Sequence, residues 1–336
     1  MPRNRQNEDS ILQRIAENSK SIQNAAIRNC VRLGIGDDAA LFRPKPGYET
    51  VLTCDWFLEG THFLRDKHPP DAVGWKCLAR AVSDIAAMGG TPRCFLLSLA
   101  LPETHSGRWL DQYLRGLRRA SRKFQCALAG GDTTRRNDML ISITVIGELL
   151  ARLALRRAGA RDGNLIYVSG TLGEAELGLQ LARRAKGFAS RNNPILKKHL
   201  YPEPRLALGR WLAEKKIATA MMDLSDGLSS DLAKLCAASG VGALLEPAKI
   251  PQVQIPPAAG KHVGDSRQLA LQGGDDYELL FTVPARQARL LPKMFQGVSL
   301  SPIGKITTSR KVLVLDKHGN ATELVPSGWD PFREKL

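Results

Sequence analysis

Aspartate in this chain recurs at one kind of place: just after an apolar run, beside glycine, serine or threonine. The segments are Gly34-Ile-Gly-Asp37-Asp38-Ala-Ala, Thr53-Cys-Asp55, Val82-Ser-Asp84, Gly130-Gly-Asp132-Thr-Thr, Met222-Asp223-Leu-Ser-Asp226-Gly and Gly273-Gly-Asp275-Asp276-Tyr-Glu278. Acids carried at strand ends point into a shared crevice. There they repel one another unless cations sit between them. A chain written this way has to fold around a charged, cation-holding cleft.

Oxygen ligands with few histidines suit Mg2+, which commonly bridges carboxylates and substrate phosphates. The glycines let backbone N–H groups approach phosphate oxygens closely. Thr53, Ser83, Thr133, Thr134 and Ser225 stand beside these acids. Their hydroxyls can donate to phosphate or cap the following helix. Taken singly, a Gly-x-Gly-Asp-Asp stretch reads as a turn, and a Ser-Asp step before a helix as an N-cap. Taken together, the segments read as metal-assisted phosphoryl transfer, in which positioning and charge neutralisation carry the rate.

Other chemistries lack their signatures. The sequence has no Gly-x-x-x-x-Gly-Lys loop, no Gly-x-Ser-x-Gly elbow and no His-Glu-x-x-His pair. The histidines at 62, 68, 105, 199, 262 and 318 show no metal-binding spacing, and His62 is the one close to an acidic segment.

Apolar spacing predicts helices over 8–30, 71–89, 107–124, 174–186, 205–215 and 229–238. Strands are expected over 50–55, 93–101, 126–130, 139–149, 164–169, 218–223, 242–246, 279–283 and 311–315. A Gly-Gly-Asp turn is expected after residue 129, and a loop over 188–204. Strands and helices mix without clean β-α-β repetition, which gives an α+β class. An Arg/Ala/Gly-rich stretch over 151–162 divides the chain, so domains are expected over 1–150 and 151–336.

Lysine and arginine number 48 against 33 aspartates and glutamates, a net charge of +15. Such a surface attracts polyanions, whether nucleic acid or nucleotides. Arg115, Arg118, Arg119 and Arg122 share one helical face. No aromatics are interleaved as a base-stacking platform would require, so a solvated face is the preferred reading. The six cysteines form no Cys-x-x-Cys pair and read as reduced thiols of a cytoplasmic protein. No run of eighteen apolar residues and no apolar N-terminal segment occurs, so neither a membrane span nor a signal peptide is expected.

In their order along the chain, these segments resemble the thiamine-monophosphate kinase family of the aminoimidazole-ribonucleotide-synthetase-like superfamily. Glu59-Gly-Thr-His62-Phe, Gly74-Trp-Lys-Cys-Leu-Ala and Gly170-Thr-Leu-Gly173 belong to the same set. The resemblance implies two domains of mixed α/β structure, with ATP bound by an N-terminal domain whose strands build a shared barrel in a homodimer. It implies direct in-line phosphorylation of thiamine monophosphate by ATP with several Mg2+ ions. By position it makes Asp38, Asp84, Asp132 and Asp223 catalytic carboxylates. Metals would be held by these acids together with Thr53, Cys54, Asp55 and Asp226. Gly131, Arg157 and Ser225 would contact ATP. His62, Asp275 and Trp329 would contact thiamine monophosphate.

The chain departs from the family where Thr53-Cys54-Asp55 stands for Thr-Thr-Asp, Gly274-Asp275-Asp276 for Gly-Glu-Asp, and Asp330-Pro331-Phe332 for Asp-His-Phe. A sister ATP-using enzyme of the superfamily, acting on another substrate, is the alternative reading. A nucleic-acid-binding protein is the alternative from another class.

Overall fold

A computed structural model describes residues 8–19, 30–35, 38–190, 192–259, 263–316 and 318–332. Gly36, Asp37, residues 20–29 of the expected first helix, and His262 lie outside them. The chain divides into two compact units. One is made of Met1–Ile85, Thr91–Ala151 and Ala185–Ala189; the other of Ala86–Gly90, Arg152–Arg184 and Ser190–Leu336. Among the described residues no helix is long and apolar enough to cross a membrane.

The first unit opens with α1 (Glu8–Ser19), β1 (Val31–Leu33), β2 (Leu41–Phe42) and β3 (Tyr48–Leu58). Then come α2 (Pro70–Ala87), β4 (Thr91–Leu101), α3 (Arg108–Phe124), β5 (Ala127–Arg135) and β6 (Leu140–Leu150). Four of the strands form a sheet in the order β3-β6-β4-β5. The β3–β6 pair is antiparallel in unbroken register from Tyr48↔Leu150 to Leu58↔Leu140. The β4–β5 pair is parallel, joined through α3.

α2 and α3 cross at glycines. A Cβ on Gly74 would lie 2.1 Å from the Tyr113 carbonyl, and one on Gly116 would lie 1.9 Å from the Asp71 carbonyl. Trp75 packs edge-on against Phe124 at 5.3 Å, and Arg119 bonds Asp71 at 3.1 Å while lying over Trp75. So part of the basic face of α3 is spent on packing. The period-two alternation of β3 turns Thr53, Asp55 and Phe57 to one face of the sheet. The other face carries Leu52 (65% exposed) and Trp56 (56% exposed).

The Gly130-Gly131-Asp132 segment is not a turn but lies inside β5. Gly131 has φ +150°, and a Cβ there would lie 1.9 Å from the Leu97 carbonyl. The glycine is required by close strand approach, beside a register shift at Phe95/Leu96.

The second unit contains β7 (Leu165–Ser169), α4 (Glu174–Arg184), α5 (Pro194–Leu200), α6 (Leu206–Glu214), β8 (Ala220–Asp223), α7 (Leu228–Ser239) and β9 (Gly242–Leu245). It ends with α8 (Ser266–Gln272), β10 (Leu279–Val283), β11 (Met294–Phe295), β12 (Val298–Thr307), β13 (Val312–Leu315) and β14 (Ala321–Glu323). The sheet order is β14-β13-β9-β12-β7-β10-β8, with β11 on β12. Both faces are covered. Leu280, Ile166, Val168 and Met222 pack with Leu228, Leu232 and Leu235 of α7. Phe281, Leu279, Tyr167 and Met221 pack with Leu208 and Leu212 of α6. Burial on both faces explains why β7, β8 and β10 read as unbroken apolar runs.

The expected loop over 188–204 contains α5. Its start is built by Asn193, whose side chain accepts the Ile195 N–H at 3.0 Å, followed by Pro194 at the first helical position.

Candidate active site

In the first unit, β3 and α2 bring Thr53 against Asp84, with the Thr53 hydroxyl donating to Asp84 Oδ2. Asp55, on the same face of β3, has Oδ1 3.8 Å from the Arg80 guanidinium. Arg80 lies one turn before Asp84 on α2 and over the Phe57 ring. Cys54 projects to the opposite face, its sulfur 3.4 Å from the Ser142 hydroxyl. The sulfur is therefore turned away from Thr53 and Asp55. Arg80 escaped the sequence reading; its spacing of four from Asp84 was the available signal.

Asp38, Gly131 and Asp132 line one cavity of about 610 Å3, walled on its apolar side by Leu12 and Ile15 of α1. Asp132 accepts the N–H of Thr133 at 2.9 Å. His62 sits in the turn after β3, where Nδ1 accepts the Leu58 N–H at 3.0 Å. A neutral ring in that position carries its proton on Nε2.

In the second unit, Asp223 closes β8 and is buried. The loop that follows is shaped by Asp231 in the first turn of α7. Its Oδ2 accepts the N–H groups of Ser225, Asp226 and Gly227 at 3.1, 3.0 and 3.1 Å. Lys234 bonds Asp231 Oδ1 at 2.9 Å and also bonds Asp226. Burial pushes the Asp231 carboxyl up, against the pull of Lys234. For Lys234, burial opposes the charge, but the bonds to Asp226 and Asp231 hold its pKa above the ordinary value.

Two further segments are tied to this loop. The Asp275 N–H donates to the Ser225 carbonyl at 2.8 Å, and the Trp329 N–H donates to the Asp226 carbonyl at 2.8 Å. Gly328 allows this approach, since a Cβ there would lie 2.0 Å from the Asp226 carbonyl. Asp223, Ser225, Asp226, Asp275 and Trp329 are thus brought together, and Trp329 with Gly273 and Gly274 borders a cavity of about 680 Å3. Arg157 is not brought to this group. It is exposed, and its carbonyl accepts the hydroxyl of Ser239 at the far end of α7.

Behind this site lie two buried carboxylates that sequence reasoning left without a role. Asp276 accepts the N–H groups of Gly173 and Ala175 at 2.6 and 3.0 Å, capping α4, and burial pushes its carboxyl up to about 7. Glu278 is held by Ser169 at 2.5 Å and by Lys198 and Arg205. Burial would raise its carboxyl, but Lys198 and Arg205 keep it below the ordinary value.

Among the described residues no three His, Cys, Asp or Glu side chains converge as a metal cage. The donors present are nonetheless suited to Mg2+. They are hard oxygens, paired as Thr53–Asp84 and grouped as Asp38–Asp132. Mg2+ is usually bound by one or two carboxylates, with water and substrate phosphates completing the shell.

Comparison with known proteins gives the class first. Residues 36–149 match the AIR synthase related protein N-terminal domain, and residues 161–317 match the corresponding C-terminal domain. The thiamine-monophosphate kinase of Escherichia coli strain K12 is 36% identical over 308 residues, covering 90% of this chain and 92% of the relative. The crystal structure of that enzyme from Stenotrophomonas maltophilia K279a is 36% identical, covers 94% of this chain and 96% of its own, and superposes with a TM-score of 0.77. A solved complex of AaThiL with AMPPCP and TMP is 30% identical, covers 99% of both chains and has a TM-score of 0.75. The chain belongs to the thiamine-monophosphate kinase family.

Proposed function

We propose that this chain transfers the γ-phosphoryl group of ATP to thiamine monophosphate, producing ADP and thiamine diphosphate. The observation that carries the reading is the match, over 99% of both chains, to a protein solved with AMPPCP and TMP. The glycine-and-aspartate segments agree with it, since they suit phosphates and their counter-ions.

The roles divide by domain. Residues 1–150 supply Asp38, Asp84 and Asp132 as catalytic carboxylates, Thr53, Asp55 and the backbone at Cys54 as further metal contacts, and Gly131 for ATP. They also supply His62 for thiamine monophosphate. Residues 151–336 supply Asp223 as a further catalytic carboxylate, Asp223 and Asp226 for metal, Arg157 and Ser225 for ATP, and Asp275 and Trp329 for thiamine monophosphate. Bound Mg2+ would neutralise phosphate charge during in-line transfer. The protein's own part is to orient. Thr53 fixes the Asp84 carboxylate, Asp231 fixes the Ser225–Gly227 loop, and Gly131 lets β5 approach β4 closely enough to set Asp132 at the cavity. Trp329 offers a flat face to the cationic thiazolium.

The chain acts as a cytoplasmic homodimer. Leu52, Trp56 and Leu150 expose apolar surface on one sheet face, and a second copy would cover it. Light scattering should then give twice the chain mass, falling to the single mass in Trp56→Asp; a single mass for the unaltered chain removes the dimer. For the activity, ADP release from Mg-ATP should depend on thiamine monophosphate and match thiamine diphosphate identified by chromatography. ATP binding with no such turnover sends the assignment to a sister substrate.

A further inference from the structure

The segment Gly273–Glu278 carries two non-glycine residues in the left-handed backbone region, Asp275 at φ +66° and Tyr277 at φ +50°. L side chains rarely adopt this conformation, and it persists only where surrounding structure enforces it. Here the enforcement is visible. Asp275 N–H donates to the Ser225 carbonyl at 2.8 Å, Tyr277 N–H to the Leu224 carbonyl at 2.9 Å, and Leu224 N–H to the Glu278 carbonyl at 2.8 Å. Between the two, Asp276 is fixed on the start of α4.

These turns bring the two side chains into contact. The buried Tyr277 hydroxyl donates to Asp275 Oδ1 at 2.6 Å. In an extended strand, residues two apart lie side by side at about 7 Å, so the twisted backbone is what lets the pair meet. A phenol donating to a carboxylate makes a short, charge-assisted bond. Aspartate has only two side-chain torsions, and such a bond orients the carboxylate. The phenol is neutral, so it orients Asp275 without cancelling the charge that a cation would read. Lys234 does the opposite to Asp226.

We propose that Tyr277 is the positioning residue for Asp275 and so sets how tightly the cationic part of thiamine monophosphate is held. This rests on the reading above that Asp275 contacts that substrate.

Steady-state kinetics of Tyr277→Phe, Asp275→Asn and the double variant test it, with thermal melting alongside. Phenylalanine keeps the ring and removes only the donor. Tyr277→Phe should raise KM for thiamine monophosphate roughly tenfold, as for loss of a hydrogen bond to a charged group. KM for ATP and kcat should stay within about twofold, because the loss is one of ground-state binding. In the Asp275→Asn background the tyrosine substitution should add nothing. An unchanged KM for thiamine monophosphate, or additive effects in the double variant, overturns the inference. So does a joint loss in kcat and both KM values with a lowered melting temperature, which marks a structural role. Absence of thiamine monophosphate turnover by the unaltered chain overturns the functional reading itself and this inference with it.

Discussion

In the first unit the candidate acids come from separate elements, namely the segment before β2, strands β3 and β5, and helix α2. Asp38 and Asp132 face open cavity, and Arg80 is the cation beside Asp55. In the second unit the acids sit at the end of β8, on the 224–227 and 273–278 loops and in the first turn of α7, and the chain brings its own cations. Lys234 bridges Asp226 and Asp231, while Lys198 and Arg205 enclose Glu278. The first arrangement sets Asp38 and Asp132 on a cavity wall, where a ligand can reach them. The second uses buried charge to fix backbone geometry. Acids that look alike in sequence therefore fall into two kinds, those that should matter to turnover and those that should matter to folding.

The largest effect should come from breaking the buried kind. Glu278→Ala leaves Lys198 and Arg205 partly buried without their partner, and removing one member of such a pair costs about 3–5 kcal/mol. Denaturant unfolding should show that loss of stability. A change near zero would mean that the cluster is a surface network, and the contrast between the units would collapse.

Next come Asp84→Asn and Asp132→Asn. Each is isosteric and removes one carboxylate charge from the candidate site. Each should lower kcat by on the order of a hundredfold, as for groups that stabilise transition-state charge, with melting temperature nearly kept. Near-normal kcat at saturating Mg2+ in both would remove these acids from the metal-holding role.

Asp276 sharpens the comparison through pH. Its carboxyl is raised from 3.8 to about 7 by burial. A group raised in the folded state contributes stability that is complete below its unfolded pKa and is lost as pH rises through the folded value. Asparagine does not ionise, so its own contribution stays constant with pH. The melting temperature of Asp276→Asn, taken relative to the unaltered chain, should therefore rise between about pH 4 and pH 7. A difference that stays flat across that window would show that Asp276 is ionised throughout.

What the sequence made legible follows the same division. The strands β7, β8 and β10 stand out because both their faces are apolar, and the acids stand out because they sit beside glycine. β12 was missed because Ser299, Ser301, Pro302 and Lys305 interrupt its pattern, and its register shifts between Pro302 and Gly304. Gly130-Gly131-Asp132 carries a turn signal, yet its glycine serves a close strand contact that only the paired β4 reveals. Asp276 and Glu278 gained no role because their partners are distant in sequence: Asp276 meets Gly173 across 103 residues, and Glu278 meets Ser169 across 109 and Lys198 across 80. Residue type announces an acid, but tertiary contact decides whether it faces a ligand or a lysine.

The smallest expected effect tests whether the scaffold of the second unit can be loosened without touching its chemistry. α5 carries Lys198 toward Glu278, and Asn193 caps α5 through the Ile195 N–H. Asn193→Ala removes that cap and should cost about 1 kcal/mol. The Glu278 cluster also has Arg205 and Ser169, so the loop that bears Asp275 should keep its shape. Stability should fall while kcat and both KM values hold. A loss of activity in step with stability would mean that α5 positions the site directly and that scaffold and site are not separable in this unit.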